Sequence, residues 1–127
     1  MRLRNLALAG IAVSLFALPA LAHHSFAMFD ADKIVELTGT VKDLEWTNPH
    51  SWLEVAVIDA KGQSADWALE MGSPSVLARQ GWKPKIVQAG DRVTVRLHPL
   101  KDGTAGGQFL SVVLPSGQKL GQDTPAN

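Results

Sequence analysis

Runs in which apolar and polar residues alternate constrain the fold of this chain more than any other feature. A residue period of two places alternate side chains on opposite faces of an extended strand, and it does not fit a helix. Five such runs lie between turn residues, at 34–46, 51–58, 65–70, 92–98 and 108–114. We therefore predict an all-β domain of five short strands.

The first run changes phase near residues 42–43. Val35 and Val41 occupy odd positions in the alternation, whereas Leu44 and Trp46 occupy even positions. One extra residue in a strand moves every following side chain to the other face. We expect a β-bulge at this point, which bends a long first strand.

A short helix is predicted between the third and fourth strands. Ser73 is a favourable N-cap, and Pro74 suits the first helical position. Gly81 can end the helix in the left-handed conformation, which places Trp82 to pack back on Leu77. Three strands, one helix and two strands is the order of the OB-fold, a five-stranded, partly open barrel. A small β-sandwich is the alternative, because five short strands do not fix the topology.

Residues 1–22 have the layout of a secretory signal peptide. Arg2 and Arg4 precede an apolar run from Leu6 to Leu18, and a small-residue cleavage pattern ends at Ala22. The run is shorter than the roughly 20 apolar residues of a membrane-spanning helix. We expect cleavage after Ala22, a periplasmic or secreted protein, and no membrane attachment after cleavage.

We divide the chain into four segments. They are the signal peptide (1–22), an N-terminal arm (23–33), the OB-fold-like barrel (34–120) and a disordered polar tail (121–127). About 105 residues remain after cleavage, which is enough for one modest core and too few for two domains.

The composition excludes two classes of function. Cleavage removes Arg2 and Arg4 but no acidic residue, which leaves 10 basic and 12 acidic residues. Nucleic acid is therefore not an expected partner, because its binding depends on Lys and Arg that neutralise phosphates. The chain has no cysteine, so no disulfide supports the fold and no thiolate can act as a ligand or nucleophile.

The four histidines lie where the predicted fold would bring them to one end of the barrel. His23 and His24 follow the cleavage site, His50 ends a Thr-Asn-Pro-His turn, and His98 begins a His-Pro-Leu-Lys-Asp-Gly turn. These two turns occupy the loops with which an OB-fold binds ligands. Imidazole is the commonest protein ligand for metals. We therefore predict a metal site made of His23, His24, His50 and His98.

Copper is the preferred metal for such a site, and zinc is the alternative. After cleavage, His23 would offer its α-amine and its Nδ1 to one ion as a chelate, and further imidazoles would complete an all-nitrogen site. That ligand set suits Cu(II), which heads the affinity series of divalent metals. Three imidazoles with an open position would equally fit zinc.

Each histidine also has an interpretation without metal. His23 and His24 would then belong to a mobile chain start. His50 would fix its turn by a hydrogen bond to a backbone carbonyl. His98, which is in phase with the polar face of its strand, would have a surface role.

A second predicted site type is an organic ligand site in the same loops. Trp46 and Trp52 flank the His50 turn, and Asn48 and Asp102 lie in the two loops. Together they could bind a small ligand, a glycan or a partner protein. Tryptophans more often cover a core, and that interpretation stays open.

No catalytic motif is present. The sequence has no Gly-x-Ser-x-Gly nucleophile motif and no glycine-rich phosphate loop followed by Lys and Ser or Thr. We expect a carrier, buffer or accessory protein and not an enzyme, with a non-enzymatic binding module as the alternative.

Several blocks of this sequence resemble a family of small exported bacterial proteins that carry a domain of unknown function. The blocks are 23–30, 39–41, 45–52, 73–74, 81–82, 90–91 and 98–103. The resemblance covers nearly the whole chain after the signal peptide. It implies an exported single domain, and it implies no activity or cofactor.

Overall fold

The computed structural model describes residues 26–123. Most of this segment is β-structure with one short helix, α1 (Pro74–Arg79), and one 3-10 turn (Phe26–Met28). The strands are β1 (Val35–Glu45), β2 (Trp52–Ile58), β3 (Ser64–Glu70), β4 (Arg92–Pro99), β5 (Gly106–Val113) and β6 (Lys119–Gly121). The predicted signal peptide lies outside the described residues, as do His23 and His24.

Five of the strands close into a barrel. The strands follow the order β3-β2-β1-β4-β5-β6 with antiparallel neighbours, and a parallel pairing of β3 with β5 closes the circle. Strand β6 adds to the free edge of β5. The predicted OB-fold-like barrel with its β-β-β-α-β-β order is confirmed, and β6 is an additional strand.

Strand β1 pairs with a strand on each side and so belongs to both halves of the barrel wall. Its first half pairs with β4, from Val35 to Thr40, and its second half pairs with β2. Between Val41 and Asp43 the register with β2 shifts by one residue. The predicted bulge is confirmed, and it lets one strand bend from one half of the barrel wall into the other.

Helix α1 begins and ends as its sequence predicts. The Ser73 hydroxyl accepts a hydrogen bond from the Val76 amide, and Pro74 occupies the first turn. Gly81 has a φ of 92°, in the left-handed region. The Trp82 amide then donates to the Leu77 carbonyl at 3.0 Å. Trp82 and Leu77 both enter the core, so the cap also attaches the helix to the barrel.

The inside of the barrel is filled by the apolar residues that alternate along each strand and face inward. Leu53 and Leu69 face each other across β2 and β3 and are fully buried. Trp82 packs its ring edge-on against Phe109, with a centroid distance of 5.4 Å. The remaining members of the core are Val41, Val55, Val57, Met71, Val87, Val93, Val95, Leu97, Val112, Leu114 and Leu120.

Residues 121–123, which the sequence assigned to a polar tail, are attached to the barrel. Gly121 pairs with Ser111 in β6. The Asp123 carboxylate accepts hydrogen bonds from Lys119 and Ser111 and pairs with Arg96 at 2.9 Å. The bond from Lys119 holds the pKa of Asp123 below its ordinary value. The prediction is wrong for 121–123, because a three-residue edge strand has too little alternation to identify; residues 124–127 lie outside the described segment.

We expect Leu69→Ala to lower the free energy of unfolding by about 2–5 kcal/mol, because it leaves a cavity where no solvent reaches. Ile58 is an apolar residue of the neighbouring strand and is 69% exposed, so Ile58→Ala should cost less than about 1 kcal/mol. Urea unfolding of both variants tests the assignment of the two faces. Equal losses would contradict it.

Candidate functional site

A row of paired residues crosses the outer wall of the barrel where β3 ends. His98 lies opposite Gln108, Gln108 lies beside Glu70, and Glu70 lies opposite Trp52. Paired residues share a face, and the preceding residue Leu69 points into the core. These four residues, here called the rim row, therefore face outward.

The His50 imidazole lies against one end of the rim row. Its Nδ1 is 3.0 Å from the Met71 carbonyl oxygen and 3.7 Å from Oε1 of Glu70. Because a carbonyl oxygen can only accept, Nδ1 carries a proton and donates it to Met71. In the neutral ring, Nε2 is then the unprotonated nitrogen. The predicted hydrogen bond from His50 to a backbone carbonyl is confirmed.

The loop that carries His50 is attached to the chain after β3. The Ser51 amide donates to the Gly72 carbonyl at 3.0 Å, and the Met71 amide donates to the Ser51 carbonyl at 2.9 Å. Thr47 adds a side-chain bond to the carbonyl of His50. These bonds fix the backbone on both sides of the imidazole, so the position of His50 is set by the barrel and not by a free loop.

Glu70 is the residue of this site that the sequence did not reveal. It is 7% exposed although it belongs to the outward parity of β3. Its carboxylate accepts no hydrogen bond from any residue in the described part of the chain, and His50 is its one ion-pair partner there. In sequence it resembles Glu54, another acid that alternates with apolar residues, so nothing in the pattern distinguishes the buried acid from the solvated one.

His98 is buried although it alternates with the inward-facing residues of β4 and therefore belongs to the outer face. It is 4% exposed, and its Nδ1 donates to the Lys33 carbonyl at 2.6 Å. The expected surface position is wrong, because the segment before β1 folds over the ring. As at His50, donation through Nδ1 leaves Nε2 as the lone-pair nitrogen of the neutral ring.

The segment that covers His98 runs beside the end of β4. Phe29 forms a β-bridge with Leu100, and the Asp30 amide donates to the Pro99 carbonyl at 2.8 Å. The Lys101 amide donates to the Met28 carbonyl at 3.0 Å. Phe29 is buried. The predicted arm is thus held along its residues 28–33, beside the end of β4.

The described residues do not by themselves form a complete metal site. Within 26–123, no three His, Cys, Asp or Glu side chains lie close enough to hold one ion. His50 lies beside Glu70, whereas His98 is two strands from Glu70, a backbone distance of about 10 Å. The structure therefore places His50 beside the row that contains His98 without joining the two histidines in one ligand set. His23 and His24, the other two predicted ligands, are not among the described residues.

The predicted organic-ligand residues are dispersed. Trp46 packs partly against the core, and Trp52 is half-buried in the rim row. Asn48 is exposed before Pro49. The Asp102 carboxylate accepts hydrogen bonds from the hydroxyl and the amide of Thr104, which lower the pKa of Asp102, so this residue closes its own turn.

A cleft of about 670 Å³ opens elsewhere on the barrel, between the start of β1 and the start of β3. Leu37, Val57, Ala65 and Trp67 form its apolar wall, and Arg92 is among its polar lining residues. Trp67 packs partly against the core, and it also lines this cleft.

Fold and site together define a small OB-fold-like barrel whose wall carries an arm and a histidine-bearing row. Residues 11–109 match the model of a family described as a family of unknown function, DUF6152, and the chain belongs to that family. The resemblance noted in the sequence is thereby confirmed. No curated protein and no solved structure matches the chain. Within the described segment, none of the helices has the length and apolar character needed to cross a membrane.

We expect His98→Ala to weaken the attachment of the arm and to lower the free energy of unfolding by about 1–2 kcal/mol, because the Lys33 carbonyl loses its donor. In His98→Asn, the side-chain amide nitrogen can take the place of Nδ1, so most of the loss should be recovered. Amide hydrogen exchange at Asp30 and Lys101, with urea unfolding, measures both effects. Equal weakening in the two variants would contradict a role for the Nδ1 bond.

Proposed function

We propose that this protein is an exported metal-binding protein that acts as a carrier, buffer or accessory, with Cu(II) as the preferred ion and Zn(II) as the alternative. The observation that supports it best is the orientation of His50. Its Nδ1 donates to the Met71 carbonyl, so a metal ion would bind at Nε2. Metal-binding histidines in proteins almost always donate their other ring nitrogen to a carbonyl or carboxylate in this way.

The arm supplies the second part of the proposal. Its backbone bonds bring Met28 to Lys101, beside the loop between β4 and β5. His23 is three residues before Phe26, and three residues of extended chain span at most about 11 Å. In the proposed site, His50 is the ligand from the barrel, and His23 and His24 are the ligands from the chain start. His98 holds the arm through Lys33.

The ligand chemistry favours copper. An amine and several imidazoles form a nitrogen-rich set, and among divalent ions such a set binds Cu(II) most strongly. The ion also displaces the proton of an α-amine at modest cost near neutral pH, because that amine titrates at about 7.7–8.0. A carrier with such a site would release its ion to a partner protein outside the cytoplasm.

Titration of protein that begins at His23 with Cu(II), followed by paramagnetic resonance, tests this proposal. We expect nitrogen hyperfine structure from the bound ion. His50→Ala should lower the affinity about tenfold or more, because it removes a ligand. One added residue before His23 should lower it similarly, because it destroys the amine chelate.

Asn48→Ala is the matched control for His50→Ala. It alters an exposed residue of the same loop, and its affinity should equal that of the unsubstituted protein. The proposal is wrong if Cu(II) binds without nitrogen hyperfine structure. It is equally wrong if His50→Ala and the extended protein bind as tightly as the control.

The cleft beside Trp67 supports a second candidate function, the binding of a small apolar ligand. Its volume of about 670 Å³ falls within the range of known ligand pockets. Three apolar side chains and an indole ring form one part of its wall, and Glu36, Asp59 and Arg92 are among the residues of the other part. The lining residues include none from the loop between Trp46 and Trp52, but Gly103 and Ala105 belong to the β4–β5 loop, the second loop in which the sequence placed the ligand.

An environment-sensitive naphthalene sulfonate dye can probe the cleft in the presence of a chelator. We expect the dye to bind and Trp67→Leu to weaken binding about tenfold, because an aromatic contact is lost. Trp52→Leu changes a tryptophan outside the cleft and should leave the affinity unchanged. Equal effects of the two substitutions, or no dye binding, would remove this candidate.

A further inference from the structure

We infer that the cleft beside Trp67 binds a small amphipathic anion, whose carboxylate pairs with Arg92 and whose apolar body enters the barrel. The inference rests on the second candidate function and deepens it. It specifies the class of ligand, an organic acid with an aliphatic or aromatic body, and it assigns the residue that recognises the charge.

The cleft is a gap in the wall of the barrel. From Val35 to Gly39, β1 pairs with β4, and its pairing with β2 begins only at Thr40. Strand β3 pairs with β5 only from Ala68 onward. The first half of β1 and the start of β3 therefore each have an edge without a partner strand in the described segment. The cleft lies between these two edges.

The apolar wall of the cleft is made of side chains that face the inside of the barrel. Leu37 lies opposite Val95, a core residue. Val57 is itself a core residue and lies opposite Ala65, and Trp67 follows Ala65 by two positions. Paired residues and residues two apart in a strand share a face, so these four lining side chains point inward. An apolar group that entered here would be removed from water by the core itself.

The polar lining residues lie on the outer face of β1 and in the turn after β2, and three of them are already engaged. The Asp59 carboxylate accepts two backbone hydrogen bonds within its own turn, at 2.8 and 2.9 Å. Glu36 pairs with Arg96 at 3.8 Å. The hydroxyl of Thr38 shares a hydrogen bond with that of Thr94 at 2.9 Å. Both acids of the lining therefore have donors or a cation of their own.

Arg92 is the charged lining residue without such a partner. Its side chain is exposed, and within residues 26–123 its guanidinium forms no hydrogen bond and no ion pair. The indole N–H of Trp67 also lacks a hydrogen-bond partner there. Both groups are donors, so a ligand that matches them supplies an acceptor. A carboxylate suits a guanidinium best, because it accepts two parallel hydrogen bonds. An organic amine would instead meet Arg92 with like charge.

Three probes that differ only in the head group test the inference: octanoate, 1-octanol and octylamine. A chemical-shift titration in the presence of a chelator follows the indole N–H of Trp67. We expect octanoate to bind about tenfold more tightly than 1-octanol, because a charged hydrogen bond is added. Octylamine should bind no more tightly than 1-octanol. Arg92→Gln should lower the affinity for octanoate to that for 1-octanol and leave the affinity for 1-octanol unchanged.

Lys61→Gln is the matched control for Arg92→Gln. Lys61 is an exposed cation in the turn between β2 and β3, and it is not a lining residue of the cleft. Its substitution removes the same charge from the neighbourhood of the cleft and should leave the affinity for octanoate unchanged.

Three results would overturn the inference and leave the second candidate function standing. The first is equal affinity for octanoate and 1-octanol in the unsubstituted protein, a comparison that needs no variant. The second is tighter binding of octylamine than of octanoate. The third is an equal loss of octanoate affinity in Arg92→Gln and Lys61→Gln. If neither octanoate nor 1-octanol shifts the Trp67 resonance, the candidate function fails together with the inference.

Discussion

The parallel pairing of β3 with β5 is the contact on which the rest of this structure depends. Without it the sheet would remain open, and the apolar faces of its strands would not enclose one core. The pairing begins at Gly106 and Gly107, beside Ala68 and Leu69. A methyl group at Gly107 would collide with the His98 carbonyl and with the Leu97 side chain, so glycine is required where the chain approaches this closely. The same pairing aligns Glu70 with Gln108 and creates the rim row.

Closure of the barrel also explains why the sequence predicted some features well and others not at all. The alternation of each strand, the bulge after Val41 and the cap at Gly81 are local, because each depends on residues a few positions apart. Burial of Glu70 and His98 depends on contacts with segments that are distant in sequence. The alternation of polar and apolar residues within one strand gives no information about such contacts. Both residues lie on the polar parity of their strands and are nevertheless covered, one beside the His50 loop and the other under the arm. Sequence reasoning therefore identified the fold class and two histidine loops, and missed the carboxylate behind one of them.

The two histidines of the barrel show that a structural role and a ligand role do not exclude each other. An imidazole has two nitrogens, and in both His50 and His98 the Nδ1 hydrogen bond to a carbonyl fixes the ring. The two imidazoles differ in their exposure to solvent. His50 is part-exposed beside Glu70, whereas His98 is enclosed by the backbone before β1. The same local chemistry thus favours a ligand at the first position and an anchor for the arm at the second.

The proposed site combines His50 of the rigid barrel wall with His23 and His24 of the chain start. This combination determines where the metal can be bound. His50 is held next to the end of β3 by its hydrogen bond to the Met71 carbonyl, so this part of the proposed site is formed as soon as the barrel folds. The α-amine of His23 exists only after residues 1–22 have been removed, and before that the same nitrogen is an amide, which is a far weaker ligand. In the proposed arrangement, a precursor that still carries its signal peptide therefore lacks one nitrogen of the chelate. In that arrangement, full affinity would require the folded barrel and the new chain start together.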